Sequence, residues 1–130
     1  MSKNLKRILI VDDEPNILMT LDFLFRKKGY DVFVARNGRE AIELIDEHEP
    51  HCTLLDIMMP EVDGYEVCEY IRNSDQHKDS GVIFLSAKTK KTDVEKGFEL
   101  GADAYVSKPF STRELADKVA GLIEEKYEKN

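Results

Sequence analysis

The 130-residue sequence has no tryptophan, only two cysteines and four prolines, and its 19 lysines and arginines are outnumbered by 26 acids. Each shortage excludes something. Cys52 and Cys68 lie in separate apolar-patterned segments with no CxxC or Cys/His ligand spacing. A disulfide scaffold or thiolate metal site is therefore not expected, and both cysteines read as small buried hydrophobes in a reducing compartment. The net charge of −7 argues against nucleic acid or an anionic membrane as a direct partner. No apolar run reaches the roughly 18 residues of a membrane span. Residues 1–7 lack a signal-peptide pattern, so a cytoplasmic location is the default expectation. Repeats and linker tracts are also missing, which predicts one domain over 1–130, with a core from about 6 to 123 and a charged tail over 124–130.

What is present is an alternation. Residues 7–11 form a near-continuous apolar run that halts at acids, the pattern of a parallel strand buried on both faces. Ile17, Leu21, Leu24, Phe25 and Lys28 then recur at helical spacing, with Pro15 tolerated in the first turn and Gly29 as the stop. Further strands are predicted over 31–35, 52–56, 82–86 and 104–107, and helices over 39–47 and 64–72. Two more helices are predicted to open with capping boxes, Thr92 with Glu95 and Ser111 with Glu114. His48, His51 and His77 show no ligand spacing and are expected at the surface. Met58 and Met59 are expected to fill a loop by packing.

Five strands alternating with five helices imply right-handed crossovers and a doubly wound α/β parallel sheet, which binds ligands at the carboxyl ends of its strands. Asp12, Asp13, Asp56 and Ser86 end three of those strands and Lys108 follows the last, so all fall on one edge. Each has a plainer reading alone: helix N-terminal acids, a solvated carboxylate, a turn serine, a surface lysine. Together they point further. Carboxylates gathered at one edge repel unless a cation joins them, and a hard ion such as Mg²⁺ suits oxygen ligands. With a lysine charge and a hydroxyl donor added, these are the parts that phosphoryl transfer needs.

The chain resembles the receiver domains of two-component response regulators over nearly its whole length. The resemblance rests on Val11-Asp12-Asp13-Glu14, on Leu55-Asp56-Ile57-Met58-Met59-Pro60 followed by Asp63-Gly64, on Leu85-Ser86-Ala87, and on Gly101-Ala102-Asp103 through Tyr105 to Lys108-Pro109-Phe110. It implies a flavodoxin-like sheet in the order 2-1-3-4-5. It further implies Asp56 as phospho-acceptor, with Asp13, Asp56 and the Met58 carbonyl as Mg²⁺ ligands and Asp12 acting through water. Lys108 would pair with a phosphoryl oxygen ahead of a cis bond to Pro109, and the Ala87 amide would face the phosphate. Ser86 and Tyr105 would form the switch: Ser86 drawn to the phosphoryl group, Tyr105 entering the vacated space, and the surface of helix four, strand five and helix five reshaped.

The partners implied are a histidine kinase or phosphotransfer protein upstream and an effector downstream, with the chain a monomer or a phosphorylation-dependent dimer. Ala104 and Lys118 stand where a winged-helix subfamily uses Asp and Arg across its dimer, so that dimer lacks its acidic partner here. Met58 and Lys88 flank the approach of a hydrolytic water, and Met58 is expected to hinder it. The resemblance implies a switch that assists its own phosphorylation, not a turnover enzyme, and either a stand-alone receiver or part of a longer regulator. Two other classes compete. A phosphatase with an aspartate nucleophile would want a second acid where Met58 stands. An adaptor keeping only the fold would not need the acidic set, Ser86 and Lys108.

Overall fold

The computed structural model describes residues 5–88 and 90–128. Its elements follow the predicted alternation: β1 (Arg7–Val11), α1 (Pro15–Lys27), β2 (Asp31–Ala35), α2 (Gly38–His48), β3 (Cys52–Asp56), α3 (Gly64–Asn73), β4 (Gly81–Ser86), α4 (Lys91–Glu99), β5 (Ala104–Ser107) and α5 (Thr112–Ile123). The strands pair in parallel in the order β2-β1-β3-β4-β5, the flavodoxin-like arrangement. Central β3 and β4 are buried at every residue, which is why their sequences read as unbroken apolar runs.

Side chains alternate between two layers, as the strand period of two requires. Leu9, Val11, Leu55 and Phe84 pack with Ala41, Ile45, Val67 and Ile71 from α2 and α3. Ile8, Ile10, Leu54 and Leu85 pack with Leu21 and Phe25 from α1 and with Leu115 and Val119 from α5. Burying each such side chain contributes about 1.5–3 kcal/mol, so the sheet is held rigidly from both faces. Edge strand β2 is partly blunted, because the Arg26 guanidinium donates to the Val32 carbonyl at 3.0 Å.

Helix termini depart from expectation. The box predicted at Thr92 and Glu95 is not formed: α4 starts at Lys91 behind an extended Lys90 and has no side-chain cap. Thr92 is thereby already inside the first turn, past the position from which a hydroxyl reaches the free amides. Ser111 does cap α5, accepting from the Glu114 amide at 3.2 Å. The reciprocal box stands instead at α3, where Asp63 accepts from the Glu66 amide at 3.0 Å and Glu66 accepts from the Asp63 amide at 3.1 Å.

Three further corrections come from contacts remote in sequence. His77 is buried, with Nε2 3.0 Å from Asp46, whose carboxylate also accepts from the Tyr70 hydroxyl at 2.7 Å. Met59 is buried while Met58 is 59% exposed, so only one of the pair packs. Residues 124–128, expected as tail, continue α5 as a π-helical turn. There Tyr127 meets the edge of His51 at 4.7 Å and Lys126 lies 3.4 Å from Asp103. Asp103 also accepts from the Val82 amide at 2.9 Å and from Arg72 at 3.0 Å. Arg72 in turn donates to the Gly101 carbonyl at 2.9 Å. Both cysteines are free and buried as expected, and burial pushes the Cys52 thiol up to about 12.

Candidate functional site

Strand register assembles the site. Val11 pairs with Leu55, Asp56 with Leu85, and Ser86 with Ser107. Asp12 therefore emerges beside Asp56, Ser86 lies one step beyond it on the next strand, and Lys108 follows on β5. A glycine fixes the far wall: a Cβ at Gly64 would stand 2.4 Å from the Asp56 carbonyl oxygen, so α3 can start this close only without a side chain there.

Asp12, Asp13 and Asp56 each offer a carboxylate oxygen within 4.8 Å of the others; Asp12 and Asp56 are buried and Asp13 is exposed. Lys108 lies 2.9 Å from Asp12, 3.0 Å from Glu14 and 3.6 Å from Asp56. Asp12 is fully committed, its other oxygen accepting from the Glu14 amide at 2.9 Å. Asp56 is not. Burial, reinforced by the charge of Asp12, pushes its carboxyl up to about 6, against the pull of Lys108 and of the Met58 amide. Burial also opposes the charge on Lys108, but hydrogen bonds to Asp12 and Glu14 and the field of Asp56 raise its pKa all the same. The carboxylates of Asp12, Asp13 and Asp56 form a donor set that fits a hard divalent cation.

Ser86 is fully buried; its hydroxyl accepts from the Lys88 amide at 2.9 Å and also hydrogen-bonds the Tyr105 hydroxyl. Ala87 is exposed beside it. Tyr105 is half-buried with its ring 6.0 Å from that of Phe84, and its hydroxyl donates to the Lys88 carbonyl at 2.7 Å. The Lys108–Pro109 bond is cis, as expected. Asp12, Asp13, Asp56, Ser86, Ala87 and Lys108 thus gather at one edge, with Tyr105 beside it. Glu14 was legible only as part of the acidic run, and its contact with Lys108 adds an acid the sequence reading had left without a role. The Lys88 carbonyl gave no sequence signal at all, since a backbone acceptor has none.

A family model described as the response regulator receiver domain matches residues 8–120. The chain belongs to this family. As a receiver domain it is a phosphorylation-activated switch of two-component systems, working with a histidine kinase and an effector. It is similar to a receiver domain protein (CheY-like) from Methanospirillum hungatei, at 28% identity, over 98% of this chain and 100% of that one, with a TM-score of 0.90. It is similar also to a putative response regulator from Chloroflexus aurantiacus, at 32% identity, over 92% of this chain and 98% of that one, with a TM-score of 0.86. A third match is the signal receiver domain of a signal transduction histidine kinase from Syntrophus aciditrophicus, at 31% identity, over 96% and 95% of the two chains, with a TM-score of 0.87. Receivers generally use Mg²⁺ at such an acidic pocket. No helix among the described residues of this receiver is long and apolar enough to cross a membrane.

Proposed function

We propose that Asp56 is the phospho-acceptor of this receiver and that its phosphorylation resets the surface of α4, β5 and α5. The observation that carries the reading is the buried carboxylate itself, 3.6 Å from Lys108 and grouped with Asp12 and Asp13. Burial and the charge of Asp12 push the Asp56 carboxyl up to about 6, and its carboxylate is the form that attacks. One of its oxygens forms a P–O bond as the P–N bond of a phosphohistidine breaks, and the imidazole leaves with the electron pair and takes up a proton. Asp13, Asp56 and the Met58 carbonyl would hold Mg²⁺, with Asp12 acting through water. The ion, when bound, neutralises charge on the transferring oxygens. Lys108 turns from Asp12 and Glu14 towards a phosphoryl oxygen, while Ser86 and the Ala87 amide take others.

The same arrangement favours a switch over a turnover enzyme. Met58 stands where a phosphatase would place its acid, and its exposed side chain covers the approach of water, which lengthens the life of the phosphoryl group. The reading places the protein in the cytoplasm, where its kinase presents phosphohistidine.

Incubation with Mg²⁺ and acetyl phosphate tests this. One acid-stable, base-labile modification is expected on Asp56 and none on the Asp56→Asn variant. Continued modification of that variant would sink the assignment, and repeated turnover of an added phosphoester would favour the phosphatase. The Lys108→Ala variant is expected to bind Mg²⁺ yet lose the response of its partner to phosphorylation.

A further inference from the structure

We infer that Gly97 is a positioning residue for the switch: its missing side chain creates the seat in which the Tyr105 ring lies, so this position sets the balance between inward and outward Tyr105. The inference rests on the reading above for its link to phosphorylation, but not for its structural content.

Gly97 is the one buried residue of α4. A Cβ built there would stand 3.1 Å from Cδ2 of Tyr105, 3.1 Å from Cδ2 of Phe84 and 3.3 Å from Cε2 of Phe84. Those approaches are tighter than ordinary carbon–carbon contact, so a neighbour must give by a few tenths of an ångström if a methyl group is added. Phe84 is the partner that cannot: it is fully buried on a central strand, with the Tyr65 ring edge-on at 5.5 Å. Tyr105 can move, because it stands on edge strand β5 and is only half-buried. Among the described residues its hydroxyl is held by the Lys88 carbonyl and by the Ser86 hydroxyl.

Helix α4 could itself yield instead, and its attachment decides how. Its carboxyl end is held where Arg72 donates to Gly101. Its amino end has no side-chain cap. A lift of α4 therefore comes at the Lys90 end, against the Tyr65 hydroxyl on the Asp93 carbonyl and the Lys88–Asp93 ion pair, and disturbs the bond from Tyr105 to the Lys88 carbonyl. Either movement, a few tenths of an ångström in size, loosens the seat of the Tyr105 ring.

The helix itself gains from the substitution. Alanine is favoured over glycine in a helix interior by roughly 0.5–1 kcal/mol, so Gly97→Ala does not unfold the domain. Stability and switch position are thus pushed in opposite directions, which separates a positioning role from a structural one.

The experiment compares the wild type with Gly97→Ala by fluorine NMR of the intact chain labelled with 3-fluorotyrosine, the Tyr105 signal being assigned with Tyr105→Phe. The Tyr105 signal is expected to shift towards a solvent-exposed value in the unphosphorylated Gly97→Ala protein, while the urea midpoint holds or rises. Beryllofluoride binding with Mg²⁺ is expected to weaken roughly five- to tenfold, as coupling between inward Tyr105 and the acidic edge requires. In a Tyr105→Ala background only the contacts with Phe84 remain, and Phe84 takes no part in the switch, so Gly97→Ala is expected to change beryllofluoride affinity by less than about twofold. An unmoved Tyr105 signal overturns the inference, and so does an equal loss of affinity in both backgrounds. If the wild type itself does not bind beryllofluoride, the phospho-acceptor reading fails, and the fluorine signal still decides the role of Gly97.

Discussion

Helices α3 and α4 have almost the same length, ten and nine residues, and flank the same acidic edge, yet they are attached in opposite ways. Helix α3 opens with a reciprocal capping box and buries Gly64, Tyr65, Val67, Cys68 and Ile71. Helix α4 opens uncapped and buries a single glycine. What holds α4 to its neighbour is a set of single contacts, such as the Tyr65 hydroxyl on the Asp93 carbonyl at 3.3 Å and Lys96 over the Tyr65 ring at 4.4 Å. The difference teaches where movement is inexpensive. Asp56 is backed by α3, which cannot shift without opening the core, whereas α4, beside Ser86 and Tyr105, can shift at little cost.

Packing provides the largest test of that contrast. Ile71→Ala in α3 is expected to cost about 2–5 kcal/mol in urea unfolding, because it leaves a cavity among fully buried side chains. Val94→Ala in α4 is expected to cost under about 1 kcal/mol, since Val94 is only partly buried. Equal losses would erase the comparison.

Charge provides the next test, at the foot of α3. The folded Asp56 carboxyl titrates at about 6 against an ordinary 3.8, so across that interval the folded state binds more protons than the unfolded one. Stability therefore falls as pH rises from about 4 to 6 and stays reduced above it. Asp56→Asn is expected to remove this penalty and stabilise the metal-free protein at pH 8 by roughly 2–3 kcal/mol. Mg²⁺ is expected to narrow the gap by stabilising the wild type alone. A flat difference between the two proteins from pH 4 to 8 would show that Asp56 is not strained.

Capping provides the smallest effect. Asp63→Ala is expected to destabilise the fold by about 0.5–2 kcal/mol. Lys90→Asp, which supplies α4 with the cap it lacks, is expected to slow hydrogen exchange of the first α4 amides by up to about tenfold. If exchange there is already as slow as in α3, α4 is not the looser helix.

Much of this was legible in the sequence, for identifiable reasons. The strands announced themselves because β3 and β4 are buried on both faces, and Asp12, Asp56, Ser86 and Lys108 could be placed together because parallel topology sends strand ends to one edge. What escaped depended on partners elsewhere. His77 is buried by Asp46, 31 positions away, and Tyr127 is held by His51 from another element. Thr92 and Glu95 matched a capping spacing, but the cap position is set by where the chain turns into the helix, and the turn comes at Lys90. Gly97 looked like any helix glycine until Phe84 and Tyr105 stood opposite it.

Asp103 binds together the base of β4, the end of α3 and the turn that follows α5. In mechanical terms it gives the molecule a fulcrum. With Arg72 holding Gly101 against the same point, α4 is anchored at its carboxyl end, while its amino end rests on the Tyr65 hydroxyl at the Asp93 carbonyl.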